Sequence, residues 1–262
     1  MKICTFASGS SGNCTFVTNG DTSILIDAGI SLRRIKYSLQ PHGVSPDQLA
    51  GVLITHEHSD HIAALKMLAK YHPNIPVFAS CAAAVQLLRQ VPELEKNMRC
   101  FDAGSSFVLD GFFIKSFQTP HDTPESVGYR IEDGHRSFAL ATDLGFVPQP
   151  VYDAVCGADM AVLESNHDVE MLKNGKYPYY LKKRILANRG HLSNADCASF
   201  AAALLHTGTK QIVLAHLSRE NNTPRLAYTT VGSALAKTGA TLGEDVQLTV
   251  APANEAGPCY II

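Results

Sequence analysis

The chain has 262 residues, 45% of them hydrophobic and 18% charged, enough apolar material for one large core or at most two small ones. Lys plus Arg (22) nearly balances Asp plus Glu (24), so any contact with nucleic acid must come from a local patch. Seven cysteines, odd in number, scattered and never in a C-x-x-C arrangement, predict neither a disulfide framework nor a zinc ribbon and fit a reducing cytoplasm. No apolar run approaches the roughly 20 residues of a membrane helix. The stretch Ala7-Ser8-Gly9-Ser10-Ser11-Gly12-Asn13 leaves no room for the apolar core of a signal peptide, so neither spanning nor export is expected.

Short β-rich runs open the chain at Lys2 to Phe6, Thr15 to Val17, Ser23 to Ile26, Gly51 to Ile54 and Pro76 to Ala79. Helical stretches lie between them at Leu32 to Leu39, Ile62 to Tyr71 and Ala82 to Gln90. Phe107 to Leu109, Phe112 to Phe117, Val127 to Ile131 and Ser137 to Ala141 are closely spaced, with Asp110-Gly111 and Asp133-Gly134 as tight-turn signals, which predicts an antiparallel meander. A strand at Met160 to Leu163, helices near Tyr179 to Leu186 and Asn194 to Leu205, a strand at Gln211 to Ala215 and a helix after Pro224 complete the chain. With no repeat, linker or composition shift, the economical reading is one domain over residues 1–262, an α/β sandwich of two sheets covered by helices.

The sharpest chemical signal is Thr55-His56-Glu57-His58-Ser59-Asp60-His61, where an apolar strand stops and a helix begins. His56 and His58 are two apart, so in extended backbone they point the same way and grip one metal while Glu57 points elsewhere. Asp60 and His61 turn at the helix start and serve a second ion. Imidazole with carboxylate suits zinc, manganese or iron better than magnesium or calcium. Four ligands cannot complete two sites, and three more candidates close apolar strands: His121 in Gln118-Thr119-Pro120-His121, Asp143 in Ala141-Thr142-Asp143 and His216 in Leu214-Ala215-His216.

The ordered set H-x-H-x-D-H, His, Asp, His resembles the metallo-β-lactamase superfamily. That resemblance implies a four-layer αββα sandwich. It implies one metal on His56, His58 and His121, a second on Asp60, His61 and His216, Asp143 bridging both, and Asp27 supporting the ligands from behind. Two divalent cations, zinc or manganese with iron possible, would generate a bridging hydroxide and clamp a phosphoryl group, so the expected reaction is hydrolysis.

Two further pieces point to phosphodiesters. Gly190-His191-Leu192-Ser193-Asn194 opens a helix, whose N–H groups with His191 and Ser193 make an anion cradle; the alternative is an N-cap serine or asparagine. Glu164 ends an apolar strand and can orient His191, a pair that resembles the proton-donating Glu and His of the tRNase Z branch. Between them, Lys173 to Arg189 carries Lys182 and Arg184 among tyrosines with no acidic residue, a composition suited to phosphates and base stacking.

Ser8 to Asn13, Tyr177-Pro178 with Leu181-Lys182, Gly190 to Asn194 and Ala215-His216-Leu217-Ser218-Arg219-Glu220-Asn221-Asn222 are similar to the bacterial YycJ (WalJ) family. That similarity implies a 5′-to-3′ exonuclease acting on DNA, in the cytoplasm that the cysteines suggest. Ser10, Ser11 and Asn13 lie in a loop that offers N–H groups to a terminal phosphate or is a flexible turn; Lys182, Arg184, Ser193 and Arg219 are further candidate substrate contacts, and Asp60, Glu164 and His191 are the catalytic set. Too few residues separate Asp143 from Glu164 for the tRNA-gripping arm of tRNase Z, and the β-CASP insertion of RNase J-like nucleases is missing. A small-molecule phosphodiesterase or thioesterase would use the same metal shell without the basic tyrosine-rich segment. A metal-braced binding module would not need Asp60, Glu164 and His191. Among the other histidines, His167 is the likeliest to have a role.

Overall fold

Residues 1–262 are described by a computed structural model with fourteen strands and nine α-helices. The strands β1 (Lys2–Ala7), β2 (Cys14–Thr18), β3 (Ser23–Ile26), β4 (Gly51–Leu53), β5 (Val77–Ser80) and β6 (Met98–Phe101) form one sheet. A second sheet holds β7 (Ser106–Leu109), β8 (Phe112–Thr119), β9 (Ser126–Glu132), β10 (Ser137–Ala141), β11 (Met160–Glu164), β12 (Gln211–Ala215) and β13 (Gln247–Val250). The last strand, β14 (Cys259–Ile261), joins the outer edge of β1, giving the order β14-β1-β2-β3-β4-β5-β6 in one sheet and β13-β12-β11-β10-β9-β8-β7 in the other. Both sheets are mixed. In the first, β1 to β3 pair antiparallel and β3 to β6 parallel; in the second, the predicted meander leads into parallel pairing from β10 to β13. This is the α/β sandwich class expected from the sequence.

The chain divides into two compact units, Met1–Ser116 with Thr123–Val127 and Pro252–Ile262, and Phe117–Asp122 with Gly128–Ala251. In the first, α1 (Leu32–Leu39), α3 (Leu65–Tyr71) and α4 (Cys81–Gln90) bury their apolar stripes against the sheet, and α2 (Ser59–Ile62) is a single turn. On α1 the stripe is Leu32, Ile35 and Leu39, spaced for one helix face and worth roughly 6 kcal/mol of burial. Ser31 caps the helix by accepting from Arg34 N–H. In the second unit α5 (Gln149–Val155), α8 (Asn194–Leu205) and α9 (Pro224–Lys237) pack on Ala139, Ala161, Leu163, Ile212 and Leu214, while α6 (Val169–Asn174) and α7 (Tyr179–Ile185) follow β11. Every residue of β3, β10 and β11 is buried, which explains their unbroken apolar runs.

Three features depart from the sequence reading. The helix expected over Ile62 to Tyr71 is broken because Ala28 N–H donates to His61 O and Ala64 N–H donates to Ala28 O, both at 2.8 Å, so tertiary bonds replace the helical ladder. The strands β6, β13 and β14 and the helices α5 and α6 carry periodicity too short to read. The cysteine pattern suggests no disulfide framework, yet Cys4 and Cys259 form one disulfide, because β14 sets them directly opposite each other on β1. No helix is long and apolar enough to cross a membrane.

Candidate active site

Within the first unit, β3 and β4 are parallel neighbours whose C-terminal ends deliver Asp27 and the Thr55 to His61 loop. Asp27 has a left-handed backbone (φ 60°) that turns its carboxylate under the loop. There it accepts from Thr55 N–H (2.9 Å), Thr55 Oγ1 (3.0 Å) and His61 Nδ1–H (2.8 Å). Since Thr55 spends its proton on Asp27, its oxygen accepts from His56 Nδ1–H (3.0 Å), which leaves the lone pair on His56 Nε2. Burial pushes the Asp27 carboxyl up, and His61 and Thr55 pull it partly back. His56 and His61 are fully buried with ring centroids 4.1 Å apart, while His58 and Asp60 are half-buried. Glu57 does point elsewhere, accepting from Thr123 Oγ1 at 2.8 Å.

Gly29 is the hinge of this arrangement. A Cβ there would lie 1.6 Å from Asp60 O, so no other residue lets the Asp27-Ala28-Gly29 turn pass beneath the loop. Asn13, expected as a substrate contact, is buried and turned inward. Its N–H donates to Asp60 O (2.8 Å), and its Nδ2 reaches His61 Nε2 (3.1 Å) and Asp60 Oδ2 (3.3 Å). Ser10 and Ser11 lie exposed at the tip of the same loop, with Ser11 Oγ donating to Asn254 Oδ1.

Within the second unit, Asp143, Glu164 and His216 stand at the C-terminal ends of β10, β11 and β12, three adjacent parallel strands. Asp143 and His216 are left-handed (φ 58° and 55°), as Asp27 is. Glu164 is fully buried. One oxygen accepts from Leu144 N–H (2.9 Å) and Leu192 N–H (3.2 Å), the other from His191 Nδ1–H (2.7 Å) and His216 Nδ1–H (3.0 Å). Burial alone would raise its pKa, but the two histidines hold the carboxyl well below the usual range. His191 moves the other way: burial works to lower it, and Glu164 outweighs that and raises it.

Asp143 Oδ1 lies 3.5 Å from His216 Nε2, 3.8 Å from His191 Nδ1 and 3.9 Å from His121 Nε2. His121 donates from Nδ1 to Gly190 O (3.1 Å), and burial lowers its pKa, with Asp143 pulling it partly back. Ligand atoms of Asp143, Glu164, His191 and His216 all lie within 4.8 Å of one another. The donor sets of both units fit divalent cations: His56, His61, His121 and His216 have Nδ1 fastened to Thr55, Asp27, Gly190 and Glu164, which orients the rings beside carboxylates.

The remaining sequence candidates are placed as follows. Ser193 is buried as the N-cap of α8, accepting from Asp196 N–H and donating to Asp196 Oδ2 (2.6 Å), which realises the capping alternative. Arg184 is ion-paired with Asp122, and Lys182 Nζ donates to Lys173 O. Arg219 is exposed. Tyr179 and Tyr180 are exposed on α7, with Lys183 stacked over the Tyr179 ring. His167 is buried, and its carbonyl accepts from Asn194 N–H.

Sequence reasoning missed the buried asparagines behind His216. Asn166 Nδ2 donates to His216 O (2.8 Å), and Asn222 Nδ2 donates to Ser165 O (2.8 Å) and Asn194 Oδ1 (2.9 Å). They stitch together the loops after β11, before α8 and after β12. The one signal is that Asn194 and Asn222 stand inside the Gly190 to Asn194 and Ala215 to Asn222 motifs. A groove of 1030 Å³ along α1, lined by Arg33, Arg34, Lys36 and Tyr37, was also not anticipated.

A model of the β-lactamase superfamily domain matches residues 22–217. Exodeoxyribonuclease YycJ of Bacillus anthracis is 36% identical over 251 residues, 95% of this chain and 94% of that protein. Exodeoxyribonuclease WalJ of Streptococcus pneumoniae serotype 2 is 36% identical over 250 residues, covering 95% and 93%. The crystal structure of the metallo-β-lactamase fold protein YhfI from Bacillus subtilis superimposes with a TM-score of 0.72 at 16% identity, covering 98% of each chain, and supports the fold.

Proposed function

This chain belongs to the metallo-β-lactamase superfamily and, within it, to the family of the YycJ and WalJ exodeoxyribonucleases, and from that premise we propose that it is a cytoplasmic, two-metal 5′-to-3′ exonuclease acting on DNA. The proposal treats residues 1–262 as one hydrolase domain. His56, His58 and His121 would hold one ion, zinc or manganese, and Asp60, His61 and His216 the other, with Asp143 as a shared ligand. Bound there, the ions would activate a water and withdraw charge from the phosphate oxygens.

The observation that carries the reading is the Glu164–His191 pair at 2.7 Å. His216, a proposed ligand, is braced by the same carboxylate, but His191 stands outside the seven proposed ligands, is half-buried and has a raised pKa, which suits it to carry a proton. With Nδ1–H committed, His191 gives the proton on Nε2 to the leaving oxygen, and Glu164 holds the ring in place for that transfer. The names of the relatives support DNA as substrate. The exposed Tyr179 and Tyr180, with Lys183 beside them, suit a strand's bases and phosphates. Ser10, Ser11, Lys182 and Arg219 remain proposed contacts; Asn13, Ser193 and Arg184 act through the groups they brace.

The test is purified protein with manganese or zinc on 5′-phosphorylated DNA, single- and double-stranded, beside bis-p-nitrophenyl phosphate. Stepwise release of nucleotides from the 5′ end is expected, with His191→Ala slower by roughly 10²–10⁴-fold. Rapid turnover of the small ester with intact DNA would replace this reading with a small-molecule phosphodiesterase.

A further inference from the structure

We propose that Cys4, His42 and Cys259 form a further metal site, of the zinc class, which the Cys4–Cys259 disulfide closes and a dithiol reductant opens. The site lies in the first unit and is independent of the proposed catalysis. Ligand atoms of the three residues lie within 4.8 Å of one another. His42 Nε2 is 3.8 Å from Cys259 Sγ, which matches the edge of a tetrahedron whose centre is about 2.1 Å from nitrogen and about 2.3 Å from sulfur.

The histidine is held for this purpose from behind. Its ring stacks on Phe16 (5.0 Å between centroids) and Phe6 (6.1 Å), so its orientation is fixed before any ion arrives. Pairing of β1 with β14 brings Cys4 and Cys259 to 4.4 Å between Cα atoms, within reach of a single cation once the sulfurs separate. Cys259 is exposed on a three-residue edge strand, where a reductant reaches it, and exposed disulfides are the labile ones. A cavity of 330 Å³ lined by Lys2, Thr18, Asn19 and His42 leaves room for a water as fourth ligand, and the Lys2 ammonium favours thiolates nearby.

The chemistry balances. A dithiol supplies two electrons and two protons, splitting the S–S bond into two thiols and becoming a cyclic disulfide itself. Binding of the cation then forms two metal–sulfur bonds and one metal–nitrogen bond and releases both thiol protons to solvent.

The test uses the whole chain, reduced and then titrated anaerobically with cobalt(II), reading the near-ultraviolet thiolate-to-cobalt charge-transfer band. His, Asp and Glu cannot produce that band, so cobalt in the proposed catalytic site does not interfere. The expected result is one such site per chain in reduced protein, no band in oxidised protein or in Cys259→Ser, and at least tenfold weaker binding in His42→Phe. That last variant keeps both cysteines and the stacked ring, so it decides the matter even if Cys259→Ser fails to fold. No band in the reduced chain, a band surviving Cys259→Ser, or unchanged affinity in His42→Phe would each overturn the proposal. None of these outcomes bears on the nuclease reading.

Discussion

The two units carry the candidate ligands in opposite styles. The first packs His56, His58, Asp60 and His61 into one loop and braces it from below with Asp27, Asn13 and the Gly29 turn. The second gathers His121, Asp143, Glu164, His191 and His216 from the ends of separate strands and loops and centres them on one buried carboxylate. A local motif is specified by its own spacing and needs only support. A gathered site is specified by strand register, so its supports and its chemistry are the same atoms.

The largest effects should expose this difference. His58→Ala and His216→Ala should each cost about 4 kcal/mol of transition-state stabilisation, a ~10³-fold loss of turnover on DNA. Calorimetry should separate them. The half-buried His58 comes out with little change in melting temperature, whereas losing His216 strips a hydrogen bond from buried Glu164 and lowers it. Equal melting temperatures would erase the contrast between the units.

Next in size is Gly29→Ala. The added methyl must displace Asp60 O, so a loss of about 3 kcal/mol in denaturant unfolding is expected, together with loss of bound metal by elemental analysis. In the other unit, Asn222→Ala should cost about 1–3 kcal/mol by taking its donor from the buried Ser165 carbonyl. Glu164→Gln should slow turnover by about 10–100-fold while preserving shape. Its pH profile carries the sharper information. Glu164 holds His191 protonated to higher pH, so removing the charge moves the alkaline fall of activity to lower pH. An unmoved limb would take His191 out of the proton-donor role.

The smallest effect lies away from both sites. Burial works to raise the Asp159 carboxyl, but Ser137 and Arg136 hold it below its usual range. Its stabilisation is therefore present above the ordinary carboxylate pKa and lost as pH falls through the folded value. Asp159→Asn should melt slightly below wild type at neutral pH, by under about 1 kcal/mol given its exposure, with the gap closing in acid.

The sequence exposed the H-x-H-x-D-H loop because its logic is local, and strand-end His121, Asp143 and His216 were legible because apolar runs stop there. Glu164 and His191 could be paired only through a resemblance, since nothing in spacing joins positions 164 and 191. Gly29 and Asn222 were hidden for a different reason. A glycine's necessity is set by what passes 1.6 Å from its missing methyl, and a buried asparagine looks like any loop residue until its partners are known. The Cys4–Cys259 bond depended on a three-residue strand pairing across nearly the whole chain, below the length at which alternation can be read.

Asp27, Asp143 and His216 share a backbone region that L-residues enter at a cost of about 1–2 kcal/mol. Glycine would sit there without strain, so each side chain must offset that cost through what it binds, as Asp27 does with Thr55 and His61, and His216 with Glu164. A library screened for thermal resistance alone should drift toward glycine or asparagine at 143 while keeping His216, whose bond to Glu164 offsets the strain, giving sturdier proteins that have forgotten their chemistry.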